Sequence, residues 1–495
     1  MWWPPMRNSK KKGFVLAVAS IIILLILLLT FLVWGLRAAQ SRSAAETKAK
    51  LVEGTELIWL TPHYIKPTSV DAVNSALEQK GFQTSIQIVQ LPAENYVAEV
   101  KEYLKTNRAD ILSLGITQWG ALGDRTVLEK ENYILPLNDY LKEDTSQALI
   151  DAYPQAIWES CSIGDNVYWI PSGGNIPNIN AAIINSRWAP ETPMPETLTQ
   201  EVLLNYLVAN KDYFASNGLF AISTPYFMLT RLPGYTYACS PFVPLVVSEQ
   251  NSDYAVSCLL ESADFQANYS ALGKLDKAGL IAREPKDLEE TFVQINNYTT
   301  EADLKASLSL DESQEVVLLT SPYVYLPELL GACVGVATNS QHPELAFDVI
   351  KELYSNSEMT NYLAYGQEGI DYKLVNGRPV KIEDETYINP QVCFGNQFIS
   401  YPTLYQGRDK CESYRNAFDR MPRSCLFGVQ FDGQDVKNDI QRVTEVMFEF
   451  NLHIANDENA FSQPLDEWSR RLEEAGLNRI QKELENQLNA WLSSS

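Results

Sequence analysis

The chain has 495 residues, with 39 Lys and Arg against 62 Asp and Glu, giving a formal net charge of −23 and a pI near 4.6. Binding to nucleic-acid phosphates needs a basic face, so this balance excludes a nucleic-acid partner. With 45% hydrophobic and 11% aromatic residues the chain is no disordered tail, and its length exceeds what one core organises, which implies two or three domains or lobes.

Residues 1–12 form a basic tail containing Arg7, Lys10, Lys11 and Lys12. Residues 13–36 follow as an apolar run from Gly13 to Leu36, interrupted only by Ser20 and Thr30. At about 1.5 Å per residue such a helix is on the order of 36 Å long, enough to span a ~30 Å hydrocarbon core with some tilt. A secretory signal has an apolar centre of only ~7–15 residues, so an uncleaved transmembrane signal anchor is expected, with Ser43-Ala44-Ala45 as a weak alternative cleavage site. Arg37, Arg42, Lys48 and Lys50 after the run balance the basic residues before it, so charge leaves the orientation open. The large downstream mass then favours a single-pass protein of the cell membrane, held in the lipid bilayer by residues 13–36 with its C-terminal domain extracellular. Trp34 would sit near the outer interface. Residues 37–56 are rich in Ala, Ser and Lys without apolar periodicity and read as a linker.

The folded part begins near Leu57. Leu57-Ile58-Trp59-Leu60 suits a buried strand, Thr68 to Gly81 has helical spacing at Val70, Val73 and Leu77, and Ser85 to Val89 is a second strand. Glu94 to Thr106 is helical and Asp110 to Gly115 is again a strand, the alternation of an α/β layer with a parallel-type sheet. Pro190, Pro193 and Pro195 punctuate the middle, and Val202 to Tyr213 reads as a helix beyond them. At the end, Leu465, Trp468 and Leu472 form one helical stripe, Gly476 stops it, and Ile480, Leu484, Leu488 and Trp491 form another. The seven cysteines (161, 239, 258, 333, 393, 411, 425) show no C-x-x-C pair. They are either buried thiols or disulfides, for which Cys239/Cys258 and Cys411/Cys425 are neighbours in sequence.

Several separated stretches carry a resemblance. Ala109-Asp110-Ile111 precedes a strand end, and Tyr133-Ile134-Leu135-Pro136-Leu137-Asn138-Asp139-Tyr140-Leu141 lies downstream. Val167 to Pro171, Ala182 to Arg187 and Pro195-Glu196-Thr197-Leu198 follow in order. Gly335 to Ser340 with His342-Pro343-Glu344-Leu345-Ala346, then Tyr365 to Tyr372, and finally Phe431 to Val446 and Glu474 to Trp491 complete the series. Together these resemble the extracellular solute-binding proteins of bacterial ABC importers, in the maltose-binding-like, carbohydrate-type group and its Gram-positive subgroup. The resemblance covers nearly everything after residue 55. It implies a two-lobed periplasmic-binding-protein-like α/β fold of the class II type behind the N-terminal transmembrane helix. It also implies a first lobe of residues 57–160 with 335–365, a second of 161–334 with 375–495, and chain crossings near 155–165, 330–337 and 365–375. ABC permease subunits would be partners. Lipoproteins of that group carry a cysteine just after the apolar segment; here none occurs before Cys161, so the spanning helix would replace the lipid anchor.

No catalytic constellation is visible. Residues His63, His342 and His453 are far apart, and there is no zincin, nucleophile-elbow, phosphate-loop or dinucleotide motif. The expectation is a binding protein rather than an enzyme, with no cofactor and no metal. Two-lobed α/β proteins take ligands at strand ends between lobes, which points to Thr61 and Tyr64, to Gln118, Trp119 and Asp124, and to Asn175 in the flexible Ser172–Asn175 turn. Tyr226, Arg231, Tyr323 and Tyr325 decorate loops of the second lobe. An indole at 119 offers a flat face to a sugar ring, although a core tryptophan is the equal alternative; Trp169, in an apolar strand, reads as core. The expected function is capture of an extracellular carbohydrate, an oligosaccharide, by hinge closure. The rivals are a surface-anchored glycan-degrading enzyme with a carboxylate pair and a non-transport binding or scaffold protein.

Overall fold

The computed structural model describes residues 54–115, 121–163, 166–173, 179–251, 253–283, 289–307, 312–320, 323, 332–382, 393–429, 431–458, 460–462 and 464–494. The basic tail, the apolar run 13–36 and most of the linker lie outside these residues. Among the described residues no helix is long and apolar enough to cross a membrane.

The chain begins as β1 (Thr55–Thr61), α1 (Pro67–Gln79), β2 (Thr84–Gln90), α2 (Tyr96–Tyr103), β3 (Ile111–Leu114), α3 (Ala121–Lys130) and the two-residue β4 (Ile170–Pro171). Pro67 opens α1 where a missing N–H costs nothing, and Val70, Val73, Ala76 and Leu77 bury its inner face against the sheet. Then come β5 (Ile179–Asn185), α4 (Gln200–Ala209), β6 (Phe220–Ser223), α5 (Ala263–Lys277), β7 (Ile281–Ala282), β8 (Thr291–Tyr298), α6 (Glu301–Ser307) and β9 (Gln314–Leu318). Thr199 and Ser262 cap α4 and α5 by accepting backbone N–H bonds at 3.2 Å. The last part holds β10 (Cys333–Val336), α7 (Pro343–Ser355), α8 (Ser357–Tyr365), α9 (Lys410–Arg420), α10 (Lys437–Asn456), α11 (Asp466–Ala475) and α12 (Leu477–Ser494). Gly476, at φ 109°, ends α11 as the sequence implies.

Two five-stranded sheets result. The first runs β2-β1-β3-β10-β4 and the second β7-β6-β8-β5-β9. In the first, β2, β1 and β3 are parallel, with Trp59 opposite both Ile88 and Ile111, while β10 is antiparallel to β3 and β4. In the second, β7, β6 and β8 are parallel and β5 is antiparallel to both β8 and β9. The reversed strands have one cause. β5 enters the second sheet from the end of β4, and β10 returns to the first sheet from the end of β9. A strand that enters at the edge towards which its neighbours run must run away from that edge.

Each sheet has its own core. Leu57, Trp59, Leu112, Val334, Phe347 and Leu353 belong to one; Leu204, Ile222, Phe265, Phe292, Val443, Phe450, Trp468 and Leu472 belong to the other. Trp169 is fully buried in the first, its indole N–H on Glu129 at 2.7 Å, as a core residue should be. The cores divide the chain differently from the expected boundaries. Val167, Trp169 and Ile170 pack in the first core, as do Phe394, Phe398, Tyr414 and Phe418, whereas the expected division put both stretches in the second lobe. The chain therefore changes core between Pro171 and Ile179 and between Phe418 and Leu426, rather than near 155–165 and 365–375, while the middle change, between Leu318 and Cys333, reaches the expected 330–337. At the last passage the Glu249 carboxylate accepts from the Ser424 hydroxyl at 2.6 Å, from the Cys425 N–H at 2.8 Å and from Thr236. All seven cysteines are free, five of them buried, so neither neighbouring pair forms a disulfide.

Candidate functional site between the strand ends

The first sheet contributes the turn after β1, the end of β3 at Gly115 and the end of β4. The second contributes the ends of β6, β8 and β9 and the start of β5. Two of the three passages between cores, after β4 and after β9, leave from these same ends, which is the switch-point geometry where open α/β sheets place ligands.

On the first edge, the Thr61 hydroxyl is fully buried and bonds the backbone of His63, accepting from its N–H at 3.1 Å and donating to its carbonyl at 3.2 Å. Thr61, expected as a ligand contact, closes its own turn instead. That turn carries His63 over Gly115, where an added Cβ would lie 1.7 Å from the imidazole Nε2, so glycine is what lets the ring occupy this place. The ring packs edge-on against Phe394 at 6.2 Å between centroids. Nε2 is buried and has no hydrogen-bond partner among the described residues. Burial holds the imidazole below its ordinary pKa, so at neutral pH the ring is uncharged, with one nitrogen as donor and one as acceptor. Tyr64, half-buried, follows directly.

On the second edge, the Ser223 hydroxyl at the end of β6 is buried without a partner among the described residues. Thr224 follows with φ 49°, a left-handed conformation rare for a β-branched residue, held by its hydroxyl on the Ile295 carbonyl. Tyr226 is half-buried just beyond, and burial raises its phenol pKa. Arg231 enters through its carbonyl, which accepts from Gln200 Nε2 at 3.2 Å and from Asn180 Nδ2 at 3.5 Å. Asn180 is fully buried; its N–H donates to Thr320 Oγ1 at 2.9 Å and its Oδ1 accepts from Asn297 at 3.0 Å. Tyr323 lies half-buried on the passage from β9 to β10, its phenol pushed up by burial and by the negative Glu249.

Of the expected contacts, Thr61 and Tyr64 thus share the first edge, Tyr226 and Arg231 the second, and Tyr323 lies between the sheets. Gln118, Trp119, Asn175 and Tyr325 are outside the described residues. Asp124 falls in α3, its side chain likewise outside. His63, Ser223 and Asn180 were not anticipated; the signal for His63 was a histidine directly after a buried strand. A cavity of about 760 Å³ lies elsewhere, lined by Asn138, Lys142, Tyr153, Trp158 and neighbours. Its Asn138 side-chain carbonyl, Tyr153 hydroxyl and Trp158 N–H are already bonded to backbone. No cluster of His, Cys, Asp and Glu suited to a metal occurs among the described residues.

Residues 426–493 match a family model described as a domain of unknown function, DUF3502. No curated protein matches. Among solved structures, the N-glycan transport solute binding protein NgtS of Streptococcus pneumoniae superposes with a TM-score of 0.63 at 17% identity, over 89% of this chain and 99% of that one. The same protein in complex with Man5GlcNAc gives 0.53 over the same shares. An HMO binding, ABC-transporter associated solute binding protein of Bifidobacterium longum infantis gives 0.52 at 15% identity, over 88% and 99%. At these identities the likeness establishes architecture, and it agrees with the two sheets and two cores above: the chain has the two-lobed α/β fold of the extracellular solute-binding proteins.

Proposed function

We propose that this chain is the solute-binding component of an ABC importer, taking a carbohydrate, an oligosaccharide, between its lobes by hinge closure and presenting it to membrane permease subunits. The observation that carries the reading is the pair of unpartnered buried polar atoms, His63 Nε2 and Ser223 Oγ, one at the ligand-side edge of each sheet. Buried polar atoms are normally satisfied, and a sugar hydroxyl can both donate and accept. The fold shared with the N-glycan and HMO binding proteins supports the same ligand class. The strand order of the first sheet supports the class II form. Tyr64, Tyr226 and Tyr323, with Gln118, Trp119, Asp124, Asn175, Arg231 and Tyr325, complete the site in this reading, and Thr61 acts through its turn. The lobes are residues 57–171 with 333–421 and residues 179–318 with 426–494.

Calorimetry with a panel of oligosaccharides tests the proposal. Saturable binding without product supports it, and product formation would install a glycan-degrading enzyme in its place. Silence across the panel would leave a scaffold. The domain is extracellular in this reading and residues 13–36 anchor it, so the mature protein should fractionate with membranes and retain residues near Met1. A mature start at Glu46 with release into the medium would remove the anchor.

A further inference from the structure

Thr300 accepts the Asp303 N–H at 3.2 Å, fixing the first turn of α6. The Asp303 carboxylate, buried, then leaves its own lobe. It accepts the Gly407 N–H at 3.0 Å and is hydrogen-bonded to the Tyr414 hydroxyl. Leu304 packs beside Ala181 and Ile183 on the second sheet, whereas Tyr414 belongs to the first core, so these bonds join the lobes. Approach is close here: a Cβ on Gly407 would stand 2.8 Å from that of Ala302.

Next to this contact Lys410 is wholly buried. Its Nζ donates to Gln397 Oε1 at 3.1 Å and to Ser400 Oγ at 2.6 Å and lies 5.5 Å from the Tyr414 ring centre, all neutral groups. Gln397 in turn donates its N–H to the Ser172 carbonyl at 2.8 Å, where the chain leaves the first sheet. A buried ammonium without a counter-charge is costly. Burial lowers Lys410 to about 8, and the Cys411 thiol and the Asp303 carboxylate of the other lobe oppose that shift.

We propose that Asp303 is a charged latch between the lobes: docked against Gly407 and Tyr414, beside the buried Lys410, it holds the arrangement described here, and its release accompanies opening. The latch rests on the hinge-closing reading above and would regulate access to that site. Losing a bond to a charged group shifts an equilibrium by roughly tenfold to a hundredfold.

The test is the interlobe distance distribution of the ligand-free full chain in detergent, from spin labels placed without cysteine chemistry at the exposed positions Lys105 and Glu445. Asp303→Asn should raise the open-to-docked ratio at least about tenfold. Gly407→Ala, which leaves every charge in place, should do likewise through its clash with Ala302. Lys410→Met alone should open the protein, and combined with Asp303→Asn should open it less than either change alone, a rescue that a merely structural role would not show. An unchanged distribution in either Asp303→Asn or Gly407→Ala overturns the latch. Because no ligand is present, that failure leaves the carbohydrate reading intact. Silence of the wild type on the glycan panel would sink that reading without touching the latch.

Discussion

The two ligand-side edges each leave one polar atom open but surround it differently. On the second sheet the open group, the Ser223 hydroxyl, stands beside polar groups that satisfy one another: Asn180, Asn297, Gln200 and the Arg231 carbonyl form a closed network, and Thr224 holds its left-handed backbone with a bond to Ile295. On the first, the turn after β1 is closed by Thr61 while His63 is left with an open nitrogen over Gly115. The second edge sets its open hydroxyl in a wall of bonded groups; the first presents its open nitrogen on a short turn. A binding site needs both, one to set position and one to gain something from the ligand.

The sharpest way to break this contrast is Asn180→Ala. It should cost about 3 kcal/mol in denaturant unfolding, because Asn297 and the Arg231 carbonyl lose a buried partner together. A loss below about 1 kcal/mol would mean the wall is not held by this network. Gly115→Ala comes next. The new Cβ must expel the imidazole, so stability should drop by about 1–3 kcal/mol and glycan affinity should vanish in calorimetry. Retained affinity would remove His63 from the site.

A property common to both lobes sharpens the comparison by showing what does not distinguish them. Burial pushes Cys161 in the first core and Cys239 in the second up to about 12. Thiols of the unfolded chain ionise near pH 9 while these do not, so their stability contribution is complete below that pH and is lost as pH rises from about 9 toward 12. Each should forfeit about 1.4 kcal/mol by pH 10, read as a falling melting temperature that flattens partly in Cys161→Ala and in Cys239→Ala. A melting temperature constant from pH 8 to 10 would contradict the burial of these thiols. The smallest effect belongs to the surface pair Lys130 and Asp432, 2.7 Å apart, which also bridges the lobes. With the lysine mostly exposed, Lys130→Ala should change stability by no more than about 0.5 kcal/mol, and less in high salt.

The difference between these groups also explains what could be read from the residues alone. The alternation from Leu57 to Gly115 and the two terminal helices were legible because period and caps are local. Trp169 was legible as core because its neighbours are apolar. The first passage between lobes was displaced because β4 has two residues, too few for any period to register. Phe398 and Phe418 joining a core begun at Leu57 depends on contacts hundreds of positions apart, and the latch of Asp303 on Gly407 pairs residues 104 apart. For the candidate site, the positions of Tyr64 and Tyr226 just past strands were legible because they are local, but that the Thr61 hydroxyl would close its turn on the His63 backbone is a matter of turn geometry.

Neither core is a continuous stretch of chain, and this bears on how the protein is made. The first core opens at Leu57 and is completed by Phe418; the second opens at Ala182 and is completed by Leu488. A ribosome working from the N-terminus therefore delivers almost the whole chain before either lobe can close. Until Val336 has emerged, the parallel strands β1 to β3 have no β10 beside them. Incomplete lobes and exposed strand edges are the condition in which a growing polypeptide most needs a chaperone.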